Sequence, residues 1–257
     1  MLILIKKSLI WASVLLLAAC SAPQTVVRPI DTLQDTTALA AGELRIAASA
    51  LQSGDVPVAL SLYSELSKTH PKNVDVWVGL GDAHFLSADY AAARASYNRA
   101  LQLSPGLLEA RLALARVDIR VRNLDQAILQ YQAMLVDSPD DPLVLSGLGV
   151  AYDLSGQRGL AQETYRKGLG KHSGNEILRT NLGLSLALDG KPREAVNVLL
   201  GYDGVNHGLP QRRDNLALAY GLLGREDTAE NILLSYQSRG QVQDNLAFYR
   251  YLRTHQK

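Results

Sequence analysis

Cysteine occurs once in 257 residues, so neither an intramolecular disulfide nor a multi-cysteine zinc site can form. Phenylalanine and tryptophan occur twice each and proline nine times, beside abundant Ala and Leu, which favours helix over sheet. Neither sign of charge dominates. With 26 Lys+Arg against 25 Asp+Glu, the clustered cationic face that coats nucleic acid is missing, and no nucleic-acid partner is expected. The five histidines, His70, His84, His172, His207 and His255, share no i, i+3 or i+4 spacing, so none forms a helical metal pair. There is no phosphate loop and no G-x-S-x-G elbow. The adjacent carboxylates Asp140 and Asp141 fall at an expected helix start, where they complement the dipole. No enzyme, cofactor or small-molecule substrate is expected. What remains is 47% hydrophobic and 20% charged, an ordinary globular composition for one or two compact domains or one elongated array.

The first residues include Lys6 and Lys7, then an apolar run from Leu9 to Ala19, then Cys20. A positive start and a short apolar core have the dimensions of a signal peptide, well under the ~20 residues that span a bilayer. Leu17-Ala18-Ala19-Cys20 resembles the lipobox of bacterial lipoproteins. That resemblance implies cleavage of a signal over 1–19 and a covalent lipid on the Cys20 thiol. Two or more acyl chains anchor stably, because each buried methylene contributes about 0.8 kcal/mol. Ser21 follows the cysteine, where an aspartate would signal inner-membrane retention in enterobacterial lipoproteins. The expected address is therefore the periplasmic face of the outer membrane. Residues 20–39 are rich in Thr, Ser, Asp and Gln, with Pro23 and Pro29, and read as a tether.

A period of 34 residues runs through the rest. A large apolar slot holds Ile46, Leu80, Leu114, Leu148, Leu182 and Leu216, and the small slot beside it holds Ala47, Gly81, Ala115, Gly149, Gly183 and Ala217. A second small slot is alanine six times, at 59, 93, 127, 161, 195 and 229. Four residues on stand Tyr63, Tyr97, Tyr131, Tyr165, Leu199 and Leu233. With Trp77 and Pro105 these positions match the tetratricopeptide pattern. Gly54, Gly156, Gly190 and Gly224 mark turns within pairs, and Pro71, Pro105 and Pro139 close second helices. The expected fold is all-α: a right-handed superhelix of helix hairpins, six repeats over 40–243 and a capping helix over 244–257. Arg111, Arg179 and Arg213 stand in the tryptophan slot. The three glycines between Gly201 and Gly208 predict that the fifth second helix stops near Leu200.

In such an array the first helix of each pair lines a concave groove. Its inward positions are expected to include Asp82, Arg116, Arg120, Asp153, Asn181 and Asn215. The two asparagines do not reproduce the carboxylate clamp of chaperone-binding repeat proteins, since Val150 and Leu184 beside them are apolar. Arg116 and Arg120, one turn apart, form a face suited to an acidic segment, with a plain solvated helix face as the alternative. His84 takes a slot usually filled by Tyr and is expected to be packed.

Two C-terminal stretches, Arg213-Asp214-Asn215-Leu216-Ala217-Leu218-Ala219-Tyr220 with Gly224-Arg225, and Asp244-Asn245-Leu246-Ala247-Phe248-Tyr249-Arg250, add a family signature. With the lipobox, tether and repeats, they resemble the TadD family of Flp (tight adherence) pilus assembly lipoproteins. The resemblance implies a non-catalytic, membrane-tethered factor that assists localisation or assembly of a pilus secretin. Two alternatives stay open. One is a pilotin-like lipoprotein of type IV pili, and the other an adaptor resembling NlpI that presents envelope proteases or peptidoglycan hydrolases.

Overall fold

The computed structural model describes residues 38–201 and 209–255. The signal peptide expected over 1–19, Cys20, most of the expected tether and the segment 202–208 lie outside the described residues. Among the described residues there are thirteen helices and no strand. In chain order they are α1 (Ala38–Gln52), α2 (Val56–Thr69), α3 (Val74–Leu86), α4 (Tyr90–Leu103), α5 (Leu108–Arg120), α6 (Leu124–Asp137), α7 (Pro142–Leu154) and α8 (Arg158–Lys171). Then come α9 (Glu176–Leu188), α10 (Pro192–Leu200), α11 (Pro210–Leu222), α12 (Glu226–Leu234) and α13 (Arg239–His255). The chain falls into two compact units, one spanning 27–171 with α1–α8, the other containing 172–257 with α9–α13.

Local chemistry sets the ends of these helices. Asp89 accepts from the Ala92 amide at 3.0 Å and Asn175 from the Leu178 amide at 2.9 Å, each satisfying an orphan donor of a first turn. Two residues past the first helix of every pair stands a residue with positive φ: Gly54, Ala88, Arg122, Gly156, Gly190 and Gly224. Four are glycine, as the turn chemistry demands. Ala88 and Arg122, both at φ 63°, hold the same left-handed conformation against the clash of a Cβ. The second helices α2, α4 and α6 stop two residues before Pro71, Pro105 and Pro139, and α10 stops at Leu200.

In the unit of 27–171 the core is a ladder of slots. Ala59, Ala93, Ala127 and Ala161 are fully buried, and Tyr63, Tyr97, Tyr131 and Tyr165 are buried one turn on. Each tyrosine is sunk against a glycine: Tyr63 and Tyr97 against Gly79 and Gly81 of α3, Tyr131 and Tyr165 against Gly147 and Gly149 of α7. A Cβ at any of these glycines would overlap the ring, so the sequence accepts the poor helix propensity of Gly, about 1 kcal/mol each, to admit it. Burial pushes the Tyr63 and Tyr131 hydroxyls up to about 12. Trp77 of α3 donates from Nε1 to the Pro71 carbonyl at 2.9 Å, tying the helix to the turn before it. In the same slot Arg111 reaches Asp137 at 3.0 Å.

In the unit containing 172–257 the ladder continues with buried Ala195, Ala229, Leu199 and Leu233. Leu199 takes the place of the tyrosine and packs on Gly183. In the tryptophan slot Arg179 donates to the Ser173 carbonyl at 2.5 Å, and Arg213 lies 4.6 Å from the Tyr236 ring centroid. Arg212 is buried and pairs with Glu176 at 2.7 Å. The last helix begins at Arg239 rather than Asp244, because Gln241 accepts from the Ser238 amide at 3.0 Å and caps it there. Val242, Leu246 and Tyr249 of α13 are buried, Tyr249 against Gly221 of α11. No helix among the described residues is long and apolar enough to cross a membrane.

Candidate protein-interaction site

Of the expected groove residues, Asp82, Arg116, Arg120 and Asp153 lie in the unit of 27–171, on α3, α5 and α7. Asp82 is 8% exposed and accepts from the Tyr97 hydroxyl at 2.7 Å. Arg116 Nη2 stands 3.7 Å from the same carboxylate oxygen. Burial pushes the Asp82 carboxyl up, opposed by the Arg116 charge and the Tyr97 hydrogen bond. The Tyr97 hydroxyl is raised in turn, first by its own burial and then by the Asp82 charge. Asp82 is thus a partner of the core tyrosine rather than an open groove acceptor. Asp153 repeats the arrangement, accepting from the Tyr165 hydroxyl at 3.0 Å.

Arg116 and Arg120 behave differently. Arg120 Nε donates to the Tyr90 hydroxyl at 2.9 Å, and its guanidinium lies 5.6 Å from the centre of that ring. Arg116 lies 5.8 Å from the centre of the Phe85 ring, and Phe85 meets Tyr90 edge to face at 5.6 Å. The structure therefore joins Asp82, Arg116 and Arg120 to two aromatic residues, Phe85 and Tyr90, outside the expected groove positions. The signal was the spacing of 30 residues from Tyr90 to Arg120 across a helix pair, which slot arithmetic at 34 overlooks.

In the unit containing 172–257, Asn215 corrects the sequence expectation. It is 3% exposed and donates to the Thr180 carbonyl at 3.2 Å, so it fastens α11 to α9 and faces no groove. Asn181 is half-buried on α9. His84 is half-buried, as its slot implies. Among the described residues no group of three or more His, Cys, Asp or Glu side chains is set to hold a metal ion.

Residues 38–107 and 85–149 each match a model of the tetratricopeptide repeat, so the chain carries tetratricopeptide repeats. These repeats form a protein-interaction scaffold, and that is the class the fold defines. Uncharacterized protein y4yS of Sinorhizobium fredii is 32% identical over 94 residues, 37% of this chain. The match spans 52% of that relative, so the chain covers about half of its length. A tetratricopeptide repeat protein of Parabacteroides merdae superposes with a TM-score of 0.69 at 13% identity, over 82% of this chain and 84% of its own. TTC0263 of Thermus thermophilus gives 0.58 at 21% identity, over 70% and 100%. MamA of Desulfovibrio magneticus gives 0.53 at 20% identity, over 64% and 93%. At these identities the likeness is one of fold: an all-α helical-repeat superhelix.

Proposed function

We propose that the chain is a lipid-anchored scaffold of a Flp pilus assembly system, in the manner of the TadD family. The Cys20 thiol takes the lipid, cleavage before it leaves Cys20 as the first residue, and residues 20–39 tether the repeats to the periplasmic face of the outer membrane. The repeats hold a segment of the pilus secretin and keep it at the membrane, where confinement raises its effective concentration. The scaffold performs no chemistry of its own and uses no cofactor beyond the covalent lipid.

One observation carries this reading furthest. The helices that carry most of the two stretches, α11 and α13, pack on one another. Tyr249 fills the space over Gly221, and Arg253 donates to the Gly221 carbonyl at 3.2 Å. Tyr236 donates to Asp214 of the first stretch, under the Arg213 guanidinium. The reading rests on the resemblance of these stretches, and their helices form the packed C-terminal end of the repeats.

The test is affinity capture of the full chain from detergent-solubilised envelope, with fractionation of a Cys20→Ala variant. We expect the secretin to be recovered with the wild type, and the variant to remain folded while leaving the outer-membrane fraction. Normal pilus assembly by Cys20→Ala would overturn the anchored role. Recovery of proteases or peptidoglycan hydrolases instead would make the chain an envelope adaptor, as NlpI-like proteins are.

A further inference from the structure

Phe85, Tyr90, Arg116 and Arg120 form a cluster that the repeat does not require. One period on, Phe85 gives way to Ile119, Tyr90 to Leu124, Arg116 to Val150 and Arg120 to Leu154. The arrangement belongs to this place in the array alone.

Its arginines differ from two others of the same unit. Arg94 is neutralised by Asp118 at 2.6 Å and Arg111 by Asp137 at 3.0 Å. Arg116 and Arg120 are instead laid over aromatic rings, which hold a guanidinium in place without cancelling its charge. No carboxylate of the described residues comes within ion-pair distance of Arg120. Among the described residues the carboxylate paired with Arg116 is that of Asp82, at 3.7 Å, and that oxygen already accepts from Tyr97. The Arg116 Nε is buried and has no hydrogen-bond partner. Two guanidinium groups one turn apart, with the Asp82 carboxylate near Arg116 alone, leave a positive surface backed by half-buried aromatic rings.

We propose that this cluster is the docking point for an acidic peptide segment of a partner protein. A carboxylate of that segment bridges the free edges of Arg116 and Arg120, and an adjacent apolar side chain rests on Phe85 and Tyr90. Charge complementarity selects the occupant, and the rings fix the forks beforehand, so that little side-chain entropy is lost on binding. The proposal rests on the interaction-scaffold reading and names the partner chemistry of its groove.

The experiment uses the full chain in detergent and a short fluorescent peptide of alternating Glu and Leu. We expect saturable binding that weakens with salt and falls about tenfold or more in Arg116→Gln and in Arg120→Gln, the size of one lost charge-assisted bond. Arg120→Lys keeps the charge without the fork and should fall in between. Arg99→Gln should change nothing, although Arg99 also sits over a ring, 6.0 Å from the centre of Trp77. Circular dichroism of each variant separates lost binding from lost fold, and Arg120 is exposed enough to be replaced without opening the core. Equal binding of a peptide with Gln for every Glu would overturn the proposal, as would unchanged affinity in both arginine variants. Binding of anionic phospholipid vesicles in preference to the peptide, lost in the same variants, would assign the cluster to a membrane surface instead. Failure of secretin capture with peptide binding intact would remove the pilus reading and leave this site. The converse would remove only this site.

Discussion

The two units solve one packing problem with different side chains. In the unit of 27–171 the large rung of the ladder is tyrosine four times, and two of the hydroxyls, on Tyr97 and Tyr165, donate to Asp82 and Asp153. In the unit containing 172–257 the rung is leucine, at Leu199 and Leu233, and nothing polar is attached to it. A tyrosine rung fills the gap and also imports a carboxylate, which must then be kept supplied with donors in a dry place. A leucine rung fills the gap alone, and the second unit places its buried polarity elsewhere, in the Arg212–Glu176 pair and the Asn215–Thr180 bond. The difference shows why charge collects around the first-unit rungs and their neighbouring arginines.

The largest expected effect comes from removing one rung of each kind. Tyr97→Ala should cost about 3–5 kcal/mol for the cavity, and a further ~1–3 kcal/mol for leaving Asp82 without its donor. Leu199→Ala should cost about 2–5 kcal/mol with no polar surcharge. Urea unfolding of both variants measures the gap, and a Tyr97→Phe variant that recovers the whole loss would erase the distinction between the units.

A smaller effect is carried by pH. Because burial raises the Asp82 carboxyl, the folded chain binds that proton more tightly than the unfolded chain does. The resulting stability is fully present below the ordinary aspartate value of about 3.9 and is lost as pH rises through the raised folded value. Asp82→Asn should therefore flatten the decline of unfolding free energy between mildly acidic and neutral pH. An unchanged slope would mean that Arg116 and Tyr97 compensate the buried charge in full.

The smallest effect separates the turns. Ala88→Gly and Arg122→Gly should each stabilise by about 0.5–1 kcal/mol, since both residues sit at φ 63°. Gly190→Ala, at φ 72° in the other unit, should destabilise by about 1–2 kcal/mol. Thermal melts of the three variants check the opposite signs. A destabilised Arg122→Gly would indicate that its bond to the Leu154 carbonyl, at 3.5 Å, outweighs the backbone strain.

Much of this architecture could be read from the chain, because each packing slot is stated six times and chance does not repeat itself at a fixed period. The alanine slot and the tyrosine-or-leucine slot are of this kind, while the closing prolines recur three times and the end of α10 at Leu200 follows from the three glycines after it. The start of α13 was also legible in Ser238-Arg239-Gly240-Gln241, a capping pattern that apolar periodicity alone misses. The functional surface was less so. A slot rule says which face of a helix a residue occupies but not which neighbour it meets. Arg116 and Arg120 were legible as neighbours on their face, while their contacts with Phe85 and Tyr90 of the preceding pair were not. Asn215 shares the inward side of α11 by spacing, yet the approach of α9 closes over it. Ala88 and Arg122 were hidden for another reason: context holds them in a conformation their own propensities oppose.

The glycines of α3 and α7 give the first unit a rhythm twice as long as its sequence period. Two tyrosines are socketed into α3, from α2 and α4, and two into α7, from α6 and α8. The helix between them, α5, carries Ala113 and Ala115 at the matching places, and there the Tyr97 ring packs in one cluster with Ala113, Leu114 and Val117. Rings therefore sink to the backbone at α3 and α7 and rest on methyl groups at α5. Arg116 and Arg120 ride on α5, while Phe85 and Tyr90 belong to α3 and α4. A peptide whose carboxylate bridged the two arginines and whose apolar side chain lay on the two rings would span three helices at once.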